Sequence, residues 1–339
     1  MVRSVSVNAF GLFMNDAYSS AIARIRGARH ILLITHMSPD GDALGSLCFM
    51  MERLALLGIP FKAYTAGPLP ETFSFLPGFE SIITDKTRLD LGSFDLILSL
   101  DCGSVARTNL ETEIAARRPD QFFLEIDHHP SVESKSDLAI RETDAASTTE
   151  ILYRLTTAAG TKLTPELARC LLTGVLTDTG NFMFSSTSER TVAAAAQMLL
   201  GGASLTKIID KTYRTKSLPD LKLWGVALSR LRHVKKYNIT YTVITPEDFS
   251  ATESDEEAMS GLAEFVSALP DVAAILVLRE DGSGMLRGNL RTTRDDIDVG
   301  AIARLFGGGG HKKAAGFAVA GRLVELEGVW QVENNPISS

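Results

Sequence analysis

The sequence predicts an α/β fold of two domains, in which a parallel-sheet domain is followed by a helical linker and a smaller α/β domain. Apolar runs in the first half are near-continuous instead of alternating, which indicates strands buried on both faces of a sheet. The length of 339 residues is enough for two ordinary domains. We place the first domain at residues 1–190, the linker at 191–230 and the second domain at 231–339.

Four strands and three helices account for the first domain. The predicted strands are His30–His36, Phe61–Ala66, Phe94–Leu100 and Gln121–Ile126. The predicted helices are Ala43–Leu57, Ser147–Ala158 and Thr164–Thr177. Strands that alternate with helices along the chain favour a parallel sheet with helices on its faces.

The linker and the second domain follow a different pattern. Thr187–Gly201 and Ala203–Leu231 are mostly helical, with breaks at Gly201-Gly202 and at Ser217-Leu218-Pro219. Two successive breaks with no strand between them are typical of a connector between domains. Beyond it we predict strands at Tyr237–Ile244, Val272–Leu278, Gly284–Leu290 and Gly316–Val319, and helices at Glu256–Ala268 and Val299–Leu305.

Composition argues against several classes of protein. The three cysteines lack C-x-x-C spacing, which argues against a disulfide framework and a cysteine zinc site. The net charge of −7 disfavours binding to long nucleic acid, because such binding depends on many contacts from Lys and Arg to phosphates. No apolar run reaches the ~18 residues of a membrane span, and the N-terminus lacks the order of a signal peptide. We therefore expect a cytoplasmic protein that can hold a small anion in a locally positive site.

Histidines and aspartates lie at the carboxyl ends of three predicted strands. His36 ends the first strand, Asp101 follows the third, and Asp127-His128-His129 follows the fourth. In an open parallel sheet, ligands bind beyond these strand ends. We therefore expect the three sets of side chains to converge at one edge of the sheet.

Three further aspartates extend this cluster. Asp40 and Asp42 lie in the segment THMSPDGDALGS, and Asp178 ends an apolar helix. Singly, each signal has an ordinary explanation, because Asp-Gly is a common turn pair and an isolated histidine is more often a satisfied core or surface residue. The frame of a calcium loop is absent. Together the residues favour a metal site, since carboxylates crowded at the end of a buried strand need positive charge nearby.

The residue types also narrow the choice of metal. Imidazole and carboxylate ligands without thiolate suit Mn²⁺, Co²⁺, Fe²⁺ or Zn²⁺, and Mn²⁺ or Mg²⁺ is common where carboxylates predominate. Six ligands exceed the need of one ion, whereas two ions about 3.5–4 Å apart would use them all. We predict two divalent metal ions that clamp the oxygens of a displacement at phosphorus, with Mn²⁺ as the first choice and Mg²⁺, Co²⁺ or Fe²⁺ as alternatives.

The ordered motifs of the chain resemble those of the DHH phosphoesterase superfamily. The segment HMSPDGDALGS, Asp101, the triplet Asp127-His128-His129 and the segment TGVLTDTG occur in the order of its four motifs. The segment FGGGGHKKAAGF (Phe306–Phe317) is similar to the signature of the DHH-associated domain. The likeness covers roughly residues 20 to 325. Length and architecture resemble the small stand-alone members, which are the oligoribonuclease/pAp phosphatases and the soluble cyclic-dinucleotide phosphodiesterases.

The resemblance implies a role for each matched residue. It implies a first metal held by His36, Asp40 and Asp101, and a second metal held by Asp42, Asp101, His128 and Asp178. Asp101 would then bridge the two ions. His129 would face the substrate phosphate as a catalytic residue, and Asp127 would orient a neighbouring histidine, as metal-bound histidines usually require.

The glycine run of the second domain predicts a loop that binds phosphate or nucleotide. Without Cβ atoms, the backbone N–H groups of Gly307, Gly308, Gly309 and Gly310 can approach a phosphate closely, and His311 adds a donor. A flexible linker is the alternative for this run. Arg291 is the best candidate for a second phosphate clamp, because a guanidinium binds phosphate oxygens in a bidentate way. A solvated arginine at a strand end is the alternative there.

These features predict an enzyme that hydrolyses a phosphate ester of a short nucleotide. The expected substrates are short oligoribonucleotides, linear dinucleotides such as pApA or pGpG, and pAp. A cyclic di-AMP phosphodiesterase is the alternative, and a non-catalytic nucleotide sensor is a remote one. We expect no track for long nucleic acid and no membrane partner. The oligomeric state is left open, with a homodimer among the options.

Overall fold

The computed structural model describes residues 16–130, 135–214 and 216–333 of the chain. The chain divides into two compact units, and the second unit begins at Lys216. The helices of the first unit are α1 (Asp16–Gly27), α2 (Gly41–Leu57), α3 (Glu111–Ala115), α4 (Thr148–Ala158), α5 (Pro165–Asp178), α6 (Glu189–Leu200) and α7 (Leu205–Thr212). Its strands are β1 (Ile31–Ile34), β2 (Phe61–Tyr64), β3 (Leu96–Leu100), β4 (Phe122–Asp127) and β5 (Leu138–Arg141).

The five strands of the first unit form one sheet in the order β2-β1-β3-β4-β5, and every neighbouring pair is parallel. All four residues of β1 are buried, and they alternate between two apolar clusters. Ile31 and Leu33 belong to one cluster, whereas Leu32 and Ile34 belong to the other. The sheet is therefore covered on both faces, and the predicted parallel α/β fold is confirmed.

Helices α2 and α5 pack closely against each other beside the sheet. Asp40 begins α2 by accepting hydrogen bonds from the backbone N–H groups of Asp42 and Ala43, and Gly58 ends it in the left-handed region at φ 67°. A Cβ atom on Gly45 would lie 2.7 Å from the carbonyl oxygen of Cys170 in α5, so only glycine permits this approach. The packing brings the start of α2 near the end of α5, where two of the predicted ligands lie.

The second unit is a smaller α/β unit around a mixed sheet. Its helices are α8 (Leu218–Ser229), α9 (Pro246–Thr252), α10 (Leu262–Val266) and α11 (Val299–Arg304). Its strands are β6 (Arg232–Val234), β7 (Ile239–Ile244), β8 (Ala274–Asp281), β9 (Met285–Arg291), β10 (Gly309–Gly310), β11 (Ala314–Ala320), β12 (Arg322–Leu326) and β13 (Val329–Glu333). The order β10-β11-β9-β8-β7-β6 is antiparallel except between β7 and β8, and β12 pairs with β13 alone.

Besides α9, β6 and β10, which the sequence did not predict, two further features of the second unit differ from the sequence prediction. The helix predicted at Glu256–Ala268 is instead a 3₁₀ turn at Glu256–Met259 followed by α10. Gly261 separates them because its φ of 81° lies in the left-handed region, which a continuing helix does not use. The hairpin of β12 and β13 follows the strand predicted as the last one. Each of its strands has five residues and is mostly exposed, so it lacks a clear alternating pattern.

The residues of the predicted linker, 191–230, lie on both sides of the boundary between the units. Met198 of α6 and Ile208 of α7 are buried in the core of the first unit, whereas Leu223 of α8 is buried in that of the second. Among the described residues, no single helix is long and apolar enough to cross a membrane. Taken as a pair, α6 and α7 have sufficient length and apolar composition, but the chain bends by 106° between them. The three cysteines are buried free thiols, as expected.

Candidate metal centre

Three neighbouring strands of the first unit place histidines and aspartates at one edge of the sheet. Strand β1 is followed by His36, β3 is followed by Asp101, and β4 ends at Asp127, just before His128. Since β1, β3 and β4 are adjacent and parallel, their carboxyl ends lie side by side. The structure therefore brings together side chains that are far apart along the chain.

A first group consists of His36, Asp40 and Asp101. The Nε2 atom of His36 lies 3.9 Å from a carboxylate oxygen of Asp40 and 3.9 Å from Oδ2 of Asp101. The other ring nitrogen, Nδ1, lies 2.8 Å from the carbonyl oxygen of Met37. Burial lowers the pKa of His36, which favours the neutral ring. A neutral imidazole with Nδ1–H bonded to a carbonyl offers the lone pair of Nε2 to a metal.

A second group consists of Asp42, His128 and Asp178. Their potential ligand atoms all lie within 4.8 Å of one another. The Nε2 atom of His128 lies 3.2 Å from Oδ2 of Asp178 and 3.5 Å from Oδ1 of Asp101. Asp101 thus directs one carboxylate oxygen towards each group, which is the geometry that a bridging ligand needs. All six residues that the sequence predicts as ligands are brought together in this way.

The charges of these groups are not balanced by the protein alone. Burial and the charge of Asp178 raise the pKa of Asp42 to about 7. Burial and the charge of Asp42 raise the pKa of Asp101 well above its usual value. Burial alone would lower the pKa of His128, but its hydrogen bond with Asp178 and the charge of Asp101 raise it to about 10. Crowded carboxylates that resist ionisation have the electrostatics of a cation site, and oxygen with imidazole donors fits Mn²⁺ or a similar ion.

The start of α4 holds Asp42 in place. The Asp42 carboxylate is fully buried and accepts hydrogen bonds from the Thr148 N–H (2.6 Å), the Thr149 N–H (3.0 Å) and the Thr149 hydroxyl (2.7 Å). Gly174 of α5 leaves the necessary space, because a Cβ atom there would lie 2.3 Å from Oδ1 of Asp42. The carboxylate is therefore fixed by two helices.

Asp101 adopts an unusual backbone conformation. Its φ of 56° lies in the left-handed region, which residues other than glycine seldom occupy. Its N–H donates to the carbonyl oxygen of Ile126, 3.1 Å away, and its Oδ1 accepts a hydrogen bond from the Thr148 hydroxyl, also at 3.1 Å. Such strained residues persist where surrounding contacts hold them, often at functional sites.

Asp127 fixes the imidazole of His129. Its Oδ1 accepts from the backbone N–H of His129 and lies 2.9 Å from Nδ1 of the same ring, while Oδ2 accepts from the N–H of Gly103. Arg141, at the end of β5, lies 3.4 Å from Oδ2. Burial alone would raise the pKa of Asp127, but the hydrogen bonds from His129 and the charge of Arg141 lower it to about 2. Asp127 is therefore ionised at neutral pH and orients the ring beside it.

The substrate-binding residues predicted in the second unit have partners within that unit. The guanidinium of Arg291 donates to Glu264 of α10 through Nε and Nη2. The N–H groups of Gly307 and Gly308 donate to the carbonyl oxygens of Arg304 and Ala303, and that of His311 donates to Ala314. Gly309 and Gly310 form β10, which pairs with β11. The binding roles of these residues stay predictions.

Sequence reasoning missed three residues that contact the predicted ones, namely Arg141, Thr148 and Thr149. The sequence Ser147-Thr148-Thr149-Glu150 has the S/T-x-x-E pattern that begins helices, so the start of α4 could be read from it. Nothing in the pattern shows that this helix start would face Asp42, because the two segments are 106 residues apart.

Known families and proteins resemble most of the chain. The family described as "DHH family, N-terminal domain" matches residues 30–175, and the "DHHA1 domain" matches residues 237–327. The bifunctional oligoribonuclease and PAP phosphatase NrnA of Thermus thermophilus is 31% identical over 293 residues, which cover 86% of this chain and 84% of that protein. The chain belongs to the DHH family. The predicted family and its accompanying C-terminal domain are thereby confirmed.

Two further proteins resemble most of the chain. The Bacillus subtilis protein of the same name is 26% identical over 295 residues, covering 85% of this chain and 89% of the relative. A solved structure titled an exopolyphosphatase-related protein from Bacteroides fragilis superposes with a TM-score of 0.83 at 26% identity, covering 89% of this chain and 90% of that one. As a member of the DHH family with such relatives, the protein is a phosphoric ester hydrolase, as the sequence predicted.

Proposed function

We propose that the protein hydrolyses phosphate esters of short nucleotides, namely short oligoribonucleotides, linear dinucleotides such as pApA and pGpG, and pAp. The observation that carries this proposal is the pair of histidine–aspartate groups that share Asp101 at the ends of β1, β3 and β4. The relatives from Thermus thermophilus and Bacillus subtilis, named as oligoribonucleases and PAP phosphatases, support the same substrates. The acidic net charge of −7 supports short substrates over long nucleic acid.

Two divalent cations, with Mn²⁺ as the first choice, complete the proposed site. His36, Asp40 and Asp101 would hold one of them, and Asp42, Asp101, His128 and Asp178 would hold the other. When bound, the cations supply Lewis acidity that activates a water molecule and neutralises charge on the phosphoryl oxygens.

His129 and Asp127 act together in this proposal. Asp127 keeps Nδ1 of His129 oriented, so that the ring is fixed before substrate binds. In its protonated form the ring then donates through its other nitrogen, Nε2, to a phosphoryl oxygen and stabilises the charge that develops there in the transition state. In the second unit, Arg291, the run Gly307–Gly310 and His311 would bind the phosphates of the substrate. Arg291 would exchange its bond to Glu264 for one to phosphate.

The test is product release by the purified, chelator-stripped protein with and without added Mn²⁺. The substrates are pAp, pApA, pGpG, a five-nucleotide RNA and cyclic di-AMP, and each is also tested with an Asp101→Ala variant. We expect Mn²⁺-dependent turnover of the linear substrates and a loss of at least about 10³-fold in the variant. Fastest cleavage of cyclic di-AMP would replace the proposed substrates with a cyclic one. Nucleotide binding without any turnover would contradict the proposal.

A further inference from the structure

The first turn of α4 contacts both buried aspartates of the metal centre. The Thr148 hydroxyl donates to Oδ1 of Asp101 at 3.1 Å, and the Thr149 hydroxyl donates to Oδ1 of Asp42 at 2.7 Å. Both threonines are completely buried. Each hydroxyl group thus donates to one buried carboxylate, and the Thr149 hydroxyl also lies 2.9 Å from the Ser147 hydroxyl.

The helix does not use these hydroxyl groups to cap its backbone N–H groups. Ser147 already caps it, because the Ser147 side chain accepts from the N–H of Glu150 at 3.1 Å. The Glu150 carboxylate closes the same turn by accepting from the N–H of Ala146 at 3.1 Å. β-Branched threonine is a weaker helix former than alanine, so two threonines in succession are unfavourable for the helix alone. The hydrogen bonds of the two threonines to Asp101 and Asp42 explain why they are placed here.

The hydrogen bonds to the Asp42 carboxylate restrict its rotation. An ionised carboxylate has about four acceptor positions. At Asp42, Oδ1 accepts two hydrogen bonds from Thr149 and Oδ2 accepts one from the Thr148 N–H. The remaining acceptor position is thus on Oδ2, so the bonds decide which oxygen is offered to a cation. The Thr148 hydroxyl places a similar restriction on Oδ1 of Asp101.

We propose that Thr148 and Thr149 are positioning residues that fix the carboxylates of Asp101 and Asp42 for the two cations. This inference rests on the proposed function. Neither threonine belongs to the predicted ligands or to the predicted substrate-binding residues. Their removal should therefore weaken metal binding and lower kcat, and it should leave KM for the nucleotide nearly unchanged.

The experiment compares Thr148→Val and Thr149→Val with the wild type. Each change removes a hydroxyl group and keeps the branched shape, while Thr148→Ser and Thr149→Ser keep the hydroxyl. Thr156→Val is the matched control, because Thr156 is also buried in α4 and its hydroxyl donates only to the carbonyl oxygen of Leu152. Mn²⁺ affinity is measured by isothermal titration calorimetry, the coupling of the two ions by electron paramagnetic resonance, and turnover of pApA by kcat and KM.

We expect each valine variant to bind Mn²⁺ about 10- to 100-fold more weakly, with the serine variants and the Thr156→Val control near the wild type. Unchanged Mn²⁺ affinity in both valine variants would overturn the inference. If the wild type turned over no substrate, the proposed function would fail, but the Mn²⁺ titration would still decide the positioning role. Should a valine variant not fold, the alanine variant at the same position replaces it, since alanine favours the helix.

Discussion

At the scale of single residues, Asp101 is the carboxylate on which both groups of the candidate centre depend. Its two oxygens face His36 and His128 from a left-handed backbone. The hydrogen bond from Thr148 and the one to Ile126 keep this conformation in place. The conformation of Asp101 thus depends on residues outside the predicted ligand set.

A substitution at Asp127 tests whether the orientation of the His129 ring matters for turnover, separately from metal binding. Asp127→Asn should lower kcat by about 10- to 100-fold, because the neutral amide no longer fixes Nδ1 of His129 as a carboxylate does. Mn²⁺ affinity should stay near the wild type, since Asp127 is in neither predicted ligand set. Asp95→Asn is the control, because Asp95 also accepts backbone N–H groups, from Arg29 and His30 at the other end of the sheet. A large loss of Mn²⁺ affinity in Asp127→Asn would contradict the assigned role.

His128 gives a prediction for the pH dependence of stability. Folding raises the pKa of His128 from 6.5 to about 10 through its acidic neighbours. Its contribution to stability is therefore complete below pH 6.5 and is lost as the pH rises towards 10. We expect the metal-free protein to lose stability from pH 7 to pH 9, by up to about 1.4 kcal/mol per pH unit for one proton.

Denaturant unfolding at several pH values measures this loss. A His128→Gln variant should show a smaller loss, because the amide does not titrate, whereas the raised pKa values of Asp42 and Asp101 still contribute to it. Saturating Mn²⁺ should abolish it, because a cation would replace the proton. A metal-free wild type whose stability rises over this range would show that His128 does not hold the extra proton.

The sequence was sufficient to select the candidate ligands, because each lies at the end of a predicted strand, in the turn that follows it, or at the end of a helix. It was not sufficient to find Thr148, whose N–H reaches Asp42 across 106 residues of chain. The short β5, which carries Arg141, was also missed, because four residues are too few for a periodic pattern. Contacts that depend on how distant helices pack leave no local signal in one sequence.

At the scale of elements, the close approach of α2, α4 and α5 explains the geometry of Asp42. The run of four predicted strands in the first unit was confirmed because continuous apolar segments between turns indicate buried strands. α1 was not predicted, and its buried face consists only of Tyr18, Ala21 and Ile25. The elements that build the centre were therefore predictable, and their peripheral neighbours were not.

Gly174→Ala tests the packing of these elements. The new Cβ would lie 2.3 Å from Oδ1 of Asp42 and 2.4 Å from Oγ1 of Thr149, so α5 or the Asp42 carboxylate must move. We expect a loss of about 1–3 kcal/mol in the free energy of unfolding together with weaker Mn²⁺ binding. Gly225→Ala in α8 is the control, because nothing lies within 4 Å of a Cβ there, and it should be neutral or slightly stabilising. Equal effects of the two substitutions would contradict this explanation.

At the scale of the whole molecule, the two units contain different sets of predicted site residues. Within the described residues, the histidine and aspartate groups that could hold a metal all belong to the first unit. The glycine run and Arg291 belong to the second. The predicted metal ligands and the predicted phosphate-binding residues thus lie in separate units.

Metal removal should therefore affect the units unequally. Hydrogen exchange of the full chain, followed by mass spectrometry, should show that a chelator increases exchange in α2, α4 and α5. Peptides from β8 and β9 should exchange at the same rate with or without Mn²⁺, because no predicted ligand lies in them. Equal protection of both units by Mn²⁺ would show that a cation binds elsewhere as well.

The position of Asp178 at the end of α5 has a consequence for biosynthesis. The other proposed ligands lie between His36 and His128, so the ribosome completes them well before it adds Asp178. A nascent chain that lacks α5 also lacks the surface against which α2 packs and the glycine that makes room for Asp42. In the proposed site, the ligand set of the second cation is therefore complete only after translation has passed α5.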